Sequence, residues 1–569
     1  MVVYLKKTKT REGRIYLSIT EGFRKDGKVR TRTVESLGYL DELEKKYDDP
    51  IAHFEAQAKA ATEEKKCAET PVLIEAHMSE KIDKGTSKST LNLGSLVLSR
   101  YYHALSIGSF WDTRKVHAHL GFDANAVFRM LVYMRILSPA SKKASFEKCA
   151  VLPDRCEFCL DDVYRALSFF ARYEDKFKAH LDKSVEGLRE RDRTCTYYDV
   201  TNYYFEIEDE DDLRRRGVSK EHKPNPIIQM GLLLDAQGLP LDYEVFSGNT
   251  NDSLTLLPVM KKMRERHPHE RTVVVADKGL NTSNNIAAAI LDGNGFAFSQ
   301  SVRRATKSLK AWVLSDQDYT ENESKTFKIK SRQSYKEITV EDENGSKHKE
   351  RIAVKQVAFW SRDFFERSRH ERAKVVEKSK AAIERGDMAS AKAHSSVRYT
   401  KDTPCVRATG EAAEHLWSLD EEKIAADEAL DGYYCIITSE TYMEERDIIE
   451  LYRGLWRIEE TFRVTKSTLD ARPVFVSRED RIRAHFMICY AALLIMRLIQ
   501  DDLDWKYSAQ AIANDLGAMT GINEDANIYL FGHRSDLSDE LGRITGVDLA
   551  RRRYTKSQIK EMLARTKKL

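Results

Sequence analysis

Glu459 lies in a stretch, Ile448 to Lys466, whose apolar residues recur every three or four positions. Ile448, Tyr452, Leu455, Phe462 and Lys466 fall on one face of the expected helix, and Glu459 falls on that same face. Its neighbour Glu460 lies about 100° around the axis. A carboxylate inside an apolar stripe is costly unless it is paired, hydrogen-bonded or bound to a metal. Arg453, Arg457, Arg463 and Lys466 flank the stripe. One acid aimed inward with cations around it is equipped to hold a metal ion beside a polyanion. From this helix alone, a core glutamate salt-bridged to one of the arginines explains the pattern equally well.

Two further carboxylates bear on that choice. Asp199 lies within a β-branched and aromatic run, Thr194 to Thr201, and Asp277 ends the apolar run Thr272 to Ala276. In an open sheet such strand regions can lie side by side. Three converging carboxylates suit hard cations such as Mg²⁺ or Mn²⁺, which take oxygen ligands. Two such ions about 3.5–4 Å apart can serve both the attacking and the leaving oxygen of a phosphoryl transfer. A lone Asp after a strand is ordinarily a turn or cap residue. Equivalent placement of two of them, followed by an inward glutamate, weighs against that.

The 569 residues suggest several domains, and a hydrophobic content of 41% excludes global disorder. Lys plus Arg (93) nearly balances Asp plus Glu (90), so the net charge of +3 says little about partners. Eight scattered cysteines form no disulfide framework and point to the reducing cytosol, a cytoplasmic protein. Cys156 and Cys159 form a CxxC, but no second ligand pair follows at zinc spacing. The N-terminus lacks the apolar segment of a signal peptide. The longest apolar run, Phe486 to Met496, is too short to span a bilayer and reads as a buried core helix.

The elements that position the acids follow from pattern. Residues 1–45 read as a small basic β unit: strands over 14–19 and 28–34 joined at Asp26-Gly27. The basic second strand is either a solvated face or a DNA-contacting ribbon. Residues 46–190 are mainly helical, with a possible role in DNA binding. From 191 to 302 come three strands, a helix, a strand, a helix and a strand. That is the order of a ribonuclease-H-like domain, and it predicts an open mixed α/β sheet with helices on its faces. Residues 303–430 interrupt it as a β-rich insertion that becomes lysine-rich and helical. Residues 431–480 return as a strand and the glutamate helix, and 481–569 are helical with a basic tail.

The chain resembles bacterial insertion-sequence transposases of the DDE class, in the subgroup with a β-rich insertion before the last acid. Tyr198-Asp199-Val200-Thr201, Gly248-Asn249-Thr250, Ala276-Asp277-Lys278-Gly279 and Tyr452 to Lys466 carry the resemblance. Tyr452, Glu459 and Lys466 match the Y-x2-R-x3-E-x6-K signature. Leu455 stands where its arginine belongs, leaving Arg453 or Arg457 to substitute. The resemblance implies that Asp199, Asp277 and Glu459 bind metal, as two ions of Mg²⁺ or Mn²⁺. It implies that Tyr452 and Lys466 contact DNA phosphates. It also implies cleavage at transposon ends, strand transfer into target DNA, and a homodimer on paired ends. Another ribonuclease-H-fold nuclease, or a DNA-binding protein derived from a transposase, are the alternatives.

Overall fold

The computed structural model describes residues 2–10, 13–25, 28–47, 49–67, 79, 81, 84–85, 87–154, 156–221, 223–341, 346–385, 398–405, 414–524 and 527–568. The chain forms two compact units, Met1–Ser87 and Lys88–Leu569.

The first unit is an antiparallel sheet of three strands, Val2–Lys9, Ile15–Lys25 and Lys28–Tyr39, with a helix over Pro50–Cys67. Val3 and Ile19 pack on Ala58, and Leu17 on Leu43 and Phe54. The Thr62 hydroxyl ties the helix to strand one by accepting from Val3 N and donating to Val3 O. The sequence reading expected two strands and missed the first, whose Lys6, Lys7 and Lys9 dilute its apolar alternation. Asp26 and Gly27, the expected turn, lie outside the described residues.

The second unit is organised on one nine-stranded sheet. Its strands are β1 (Cys195–Tyr204), β2 (Ile227–Leu234), β3 (Pro240–Ser247), β4 (Val273–Ala276), β5 (Gly295–Ser299), β6 (Thr320–Glu321), β7 (Phe327–Glu341), β8 (Lys347–Ser361) and β9 (Tyr433–Thr438). Their spatial order is β6-β7-β8-β9-β5-β4-β1-β2-β3. β1 to β3 form an antiparallel meander, β4 pairs parallel with β1, and β5 parallel with β4. The sheet is therefore mixed, and the chain mixed α/β. β7 and β8 are not a separate sheet: β8 pairs with β9, and β9 with β5, so the insertion extends the central sheet sideways.

Strand alternation divides the core between two faces. Tyr198, Val200, Val274 and Ala276 point to one face, where they pack with Val259 of helix α1 (Leu256–Arg266) and Ile286 of helix α2 (Ser283–Leu291). Tyr197, Tyr203, Val273 and Val275 point to the other. That second face meets the glutamate segment and a long central helix. The segment is α3 (Glu445–Arg453) followed by α4 (Trp456–Arg463), and the central helix is α5 (Glu479–Asp502).

Helix α5 contains the apolar run. At 24 residues it is long and apolar enough to cross a membrane by length and composition, but 94% of its apolar window is buried inside the protein. It is a core helix, longer than the run alone suggested. Helices over Gly94–Ala104, Ala124–Leu137 and Leu160–Ala171 share its core. The C-terminal region is not purely helical as expected. Thr90–Asn92, Thr520–Asn523, Ile528–Phe531 and Arg553–Thr555 form a four-stranded sheet. Strands of three or four residues leave almost no period-two signal to read.

Candidate active site

Asp199 and Asp277 stand beside each other because β1 and β4 run in parallel register. Tyr198 pairs with Ala276, so the next residue on each chain is an aspartate. By alternation both point to the face that carries Tyr197 and Val275, which is the face packed by α4. Burial pushes the Asp199 carboxyl up to about 6, with the charges of Asp277 and Asp252 adding to the rise, while Lys220 and the Val200 backbone oppose it.

Asp252 escaped the sequence reading. It opens a short helical turn, Asp252–Leu254, two residues beyond the Gly248-Asn249-Thr250 motif. Only its place in space, not its spacing, brings it near Asp199. Lys220 was visible as part of a basic run but not as a neighbour of the site. Its ammonium donates to the Val200 carbonyl.

Asp277 is anchored by a row of hydroxyls. Tyr452 donates to Asp277 Oδ1 at 3.2 Å, Tyr434 lies 3.0 Å from the Tyr452 hydroxyl, and Ser299 donates to Tyr434 at 3.0 Å. Burial raises the pKa of both tyrosines, so both are protonated donors. Tyr452, expected at a DNA phosphate, spends its proton on Asp277 in this structure.

The glutamate segment is not one continuous helix. It breaks at Gly454-Leu455, between α3 and α4, and continues as a wide turn over Val464–Thr468. At the break the backbone comes close to β1: a Cβ on Gly454 would lie 1.9 Å from the Tyr197 hydroxyl, which calls for glycine there. Within α4, Ile458, Thr461 and Phe462 are buried. Glu459 is exposed rather than aimed into an apolar stripe. Its charge acts on Tyr434, as does that of Asp277. Asp199, Asp277 and Glu459 are not all within 4.8 Å of one another.

Glu460 pairs with arginines, with buried Arg497 at 3.4 Å and with Arg463 at 3.9 Å, and is only partly exposed. Arg497 also donates to Thr461 Oγ1 and Gln500 Oε1, so Glu460 belongs to a structural network.

The expected DNA-binding cations are dispersed. Arg453 is exposed and pairs with Glu450, and Arg463 is exposed. The Arg457 guanidinium lies 5.9 Å from the Tyr197 ring and 5.6 Å from the Trp456 ring. Lys466 is held by Glu221 at 3.2 Å. Leu455 is buried.

Among the described residues, the tight cluster of metal-type side chains is elsewhere, at Asp182, Glu186 and His267. Asp182 there is paired with Arg191 and Arg193, each at 2.9 Å. Two guanidiniums already neutralise it, which makes the cluster an ion-pair network rather than a cation site.

Oxygen donors, a buried Asp199 and an oriented Asp277 on partner strands suit phosphoryl transfer assisted by a hard divalent cation. Residues 5–70 match the family described as the N-terminal domain of IS1634 family transposases. Residues 209–495 match the family described as the transposase DDE domain, a span that includes Asp277, Tyr452, Glu459 and Lys466 and begins after Asp199. No curated protein matches the chain. A solved piggyBac transposase synaptic complex with hairpin DNA is similar over 84% of this chain and 88% of that one, at 7% identity and a TM-score of 0.37. Because the DDE-domain match spans just over half of its 569 residues, the chain belongs to the DDE transposase family, DNA-cutting and DNA-joining enzymes that use divalent metal.

Proposed function

We propose that this transposase uses Asp199, Asp277 and Glu459 as its metal-binding triad, with Mg²⁺ or Mn²⁺ in two sites. The observation that carries the reading is the parallel register of β1 and β4, which sets Asp199 beside Asp277 on the face that α4 covers. The order β3-β2-β1-β4-β5, with helices on both faces, supports a ribonuclease-H-like core, which the insertion widens through β7 and β8. Glu459 enters from α4, a separate element, with its carboxylate exposed, and its charge acts on Tyr434 alongside that of Asp277.

When bound, the ions would activate the attacking oxygen and stabilise the leaving one. The chain's own residues prepare for that. Asp199 and Asp277 supply adjacent carboxylate oxygens. Tyr452 fixes which Asp277 oxygen is committed to a hydrogen bond and which is free. Lys220 offsets the negative charge around Asp199. In the first step water attacks phosphorus at the transposon end and the 3′-oxygen leaves as a hydroxyl. In the second that hydroxyl attacks a target phosphodiester and displaces the target 3′-oxygen. Both are in-line displacements, so one site suffices.

Arg453, Arg457, Arg463 and Lys466, all on or just beyond the glutamate segment, are the proposed contacts to double-stranded DNA at the ends and target. A homodimer on paired ends, acting in the cytoplasm, completes the reading. Incubating purified protein with a plasmid bearing the sequences that flank the gene tests it. Wild type should nick the ends to 3′-hydroxyls in Mg²⁺. Asp277→Asn should bind the same DNA, fail to cut, and lose Mn²⁺ binding followed by electron paramagnetic resonance. Wild-type cleavage by Asp277→Asn sinks the triad.

A further inference from the structure

Glu221 is gripped by two cations that follow α4 in the chain. Its Oε1 accepts from Lys466 Nζ at 3.2 Å, and its Oε2 pairs with Arg472. None of the three is deeply buried: the side chains of Glu221, Lys466 and Arg472 are 24%, 18% and 30% exposed. Lys223 Nζ and the Arg472 guanidinium lie 5.5 and 5.6 Å from the Tyr204 ring, and Lys466 Nζ lies 5.4 Å from the Tyr203 ring. Lys220, adjacent in sequence, donates to the Val200 carbonyl. One carboxylate thus sits among Lys220, Lys223, Lys466 and Arg472.

Burial lowers the pKa of Lys466, the hydrogen bond and charge of Glu221 oppose it, and the charges of Arg472 and Lys220 add to the lowering. Two cations that share one carboxylate, partly open to solvent and flanked by two tyrosine rings, are suited to a phosphate. The carboxylate oxygens of Glu221 already satisfy the donors a phosphodiester would use, since both anions accept charge-assisted hydrogen bonds from Lys and Arg. The location fits as well: Lys220 touches the residue after Asp199, and Tyr203 and Tyr204 end the same strand.

We propose that Lys466 and Arg472 form a DNA backbone-phosphate site beside Asp199, and that Glu221 occupies this site in the DNA-free enzyme and is displaced by the incoming phosphate. Arg472 is then a DNA-binding residue outside the Tyr452–Lys466 signature, and Glu221 a built-in competitor that weakens non-productive binding. The inference rests on DNA being the substrate, but not on which carboxylates hold metal.

The test is fluorescence anisotropy with a labelled duplex of random sequence, in EDTA, over a salt series. Glu221→Gln removes the competing charge and should bind roughly 3- to 10-fold more tightly. Arg472→Ala and Lys466→Ala should each bind more weakly, and each should flatten the slope of log affinity against log salt by about one. In Glu221→Gln/Arg472→Ala the gain from losing Glu221 should shrink. Melting curves accompany every variant. A folded Glu221→Gln that binds DNA no tighter than wild type overturns the proposal, as does an unchanged salt slope in Arg472→Ala. If Glu221→Gln does not fold, the slopes of the two cation variants decide alone. A wild-type protein that fails to bind duplex DNA at all would instead overturn the broader functional reading.

Discussion

The Tyr452 hydroxyl donates to Asp277 Oδ1 across 3.2 Å, and this bond sets the polarity of every hydroxyl behind it. With its proton on Asp277, Tyr452 can only accept from Tyr434, and Tyr434 in turn accepts from Ser299. The chain starts on β5, passes through β9 and α3, and ends on the residue after β4. Asp277 is held in one rotation by elements brought together only in the folded sheet.

Tyr452→Phe therefore leaves packing intact but frees Asp277. Cleavage at limiting Mg²⁺ should fall roughly 10- to 100-fold, the usual cost of losing a partner that orients a metal ligand. Raising the Mg²⁺ concentration should recover part of the loss. A metal titration of end cleavage checks this, and an unshifted titration curve would mean that the hydrogen bond is ornamental.

Asp199 makes metal-free stability depend on pH. Its folded-state carboxyl is pushed up to about 6, first by burial, above an unfolded value of about 3.9. Stability carried by the protonated form is complete below about pH 4 and is lost as pH rises through about 6. In EDTA at pH 7, Asp199→Asn should be more stable than wild type by about 3 kcal/mol, and the gain should vanish near pH 4. Urea unfolding at the two pH values reads it. Equal stabilities at pH 7 would contradict the burial described for Asp199.

The two adjacent glutamates separate by phenotype. Glu459→Gln should lose strand cleavage by several orders of magnitude with little change in melting temperature. Glu460→Gln should keep the chemistry but cost about 2 kcal/mol, because Arg497 would be left buried without its carboxylate. Paired cleavage and melting assays on the two variants distinguish them. A stable, catalytically dead Glu460→Gln would exchange their roles.

Gly454→Ala tests the break in the glutamate segment. The added methyl would meet the Tyr197 hydroxyl, so either β1 or the start of α4 must shift. Overpacking of this kind costs about 1–3 kcal/mol. Because Tyr197 lies two residues from Asp199 on the same face, cleavage should fall further than melting alone explains. Wild-type activity in this variant would show that the segment can straighten without moving the site.

The central sheet was legible in the sequence because its strands are long or wholly apolar. Gly295–Ser299 was bounded correctly, and Asp199 and Asp277 were placed on neighbouring strands. Helical periodicity assumes an unbroken helix, and the glutamate segment is interrupted at Gly454-Leu455. The close approach of Gly454 to Tyr197 is a tertiary fact that no spacing encodes. The same limit explains Asp252, Glu221 and Arg472. Each acquires its neighbours through loops whose sequence carries no period.

The β8–β9–β5 pairing has a consequence for how the protein tolerates change. Backbone hydrogen bonds from the insertion satisfy the flank of β9, the strand that delivers the chain to α3 and α4. Excising residues 303–430 would therefore not yield a smaller enzyme. It would bare an apolar ladder, Tyr433 to Thr438, able to pair with the same ladder on another molecule. A protein lacking residues 303–430 should therefore collect in inclusion bodies, whereas one that keeps β8 paired with β9 should not.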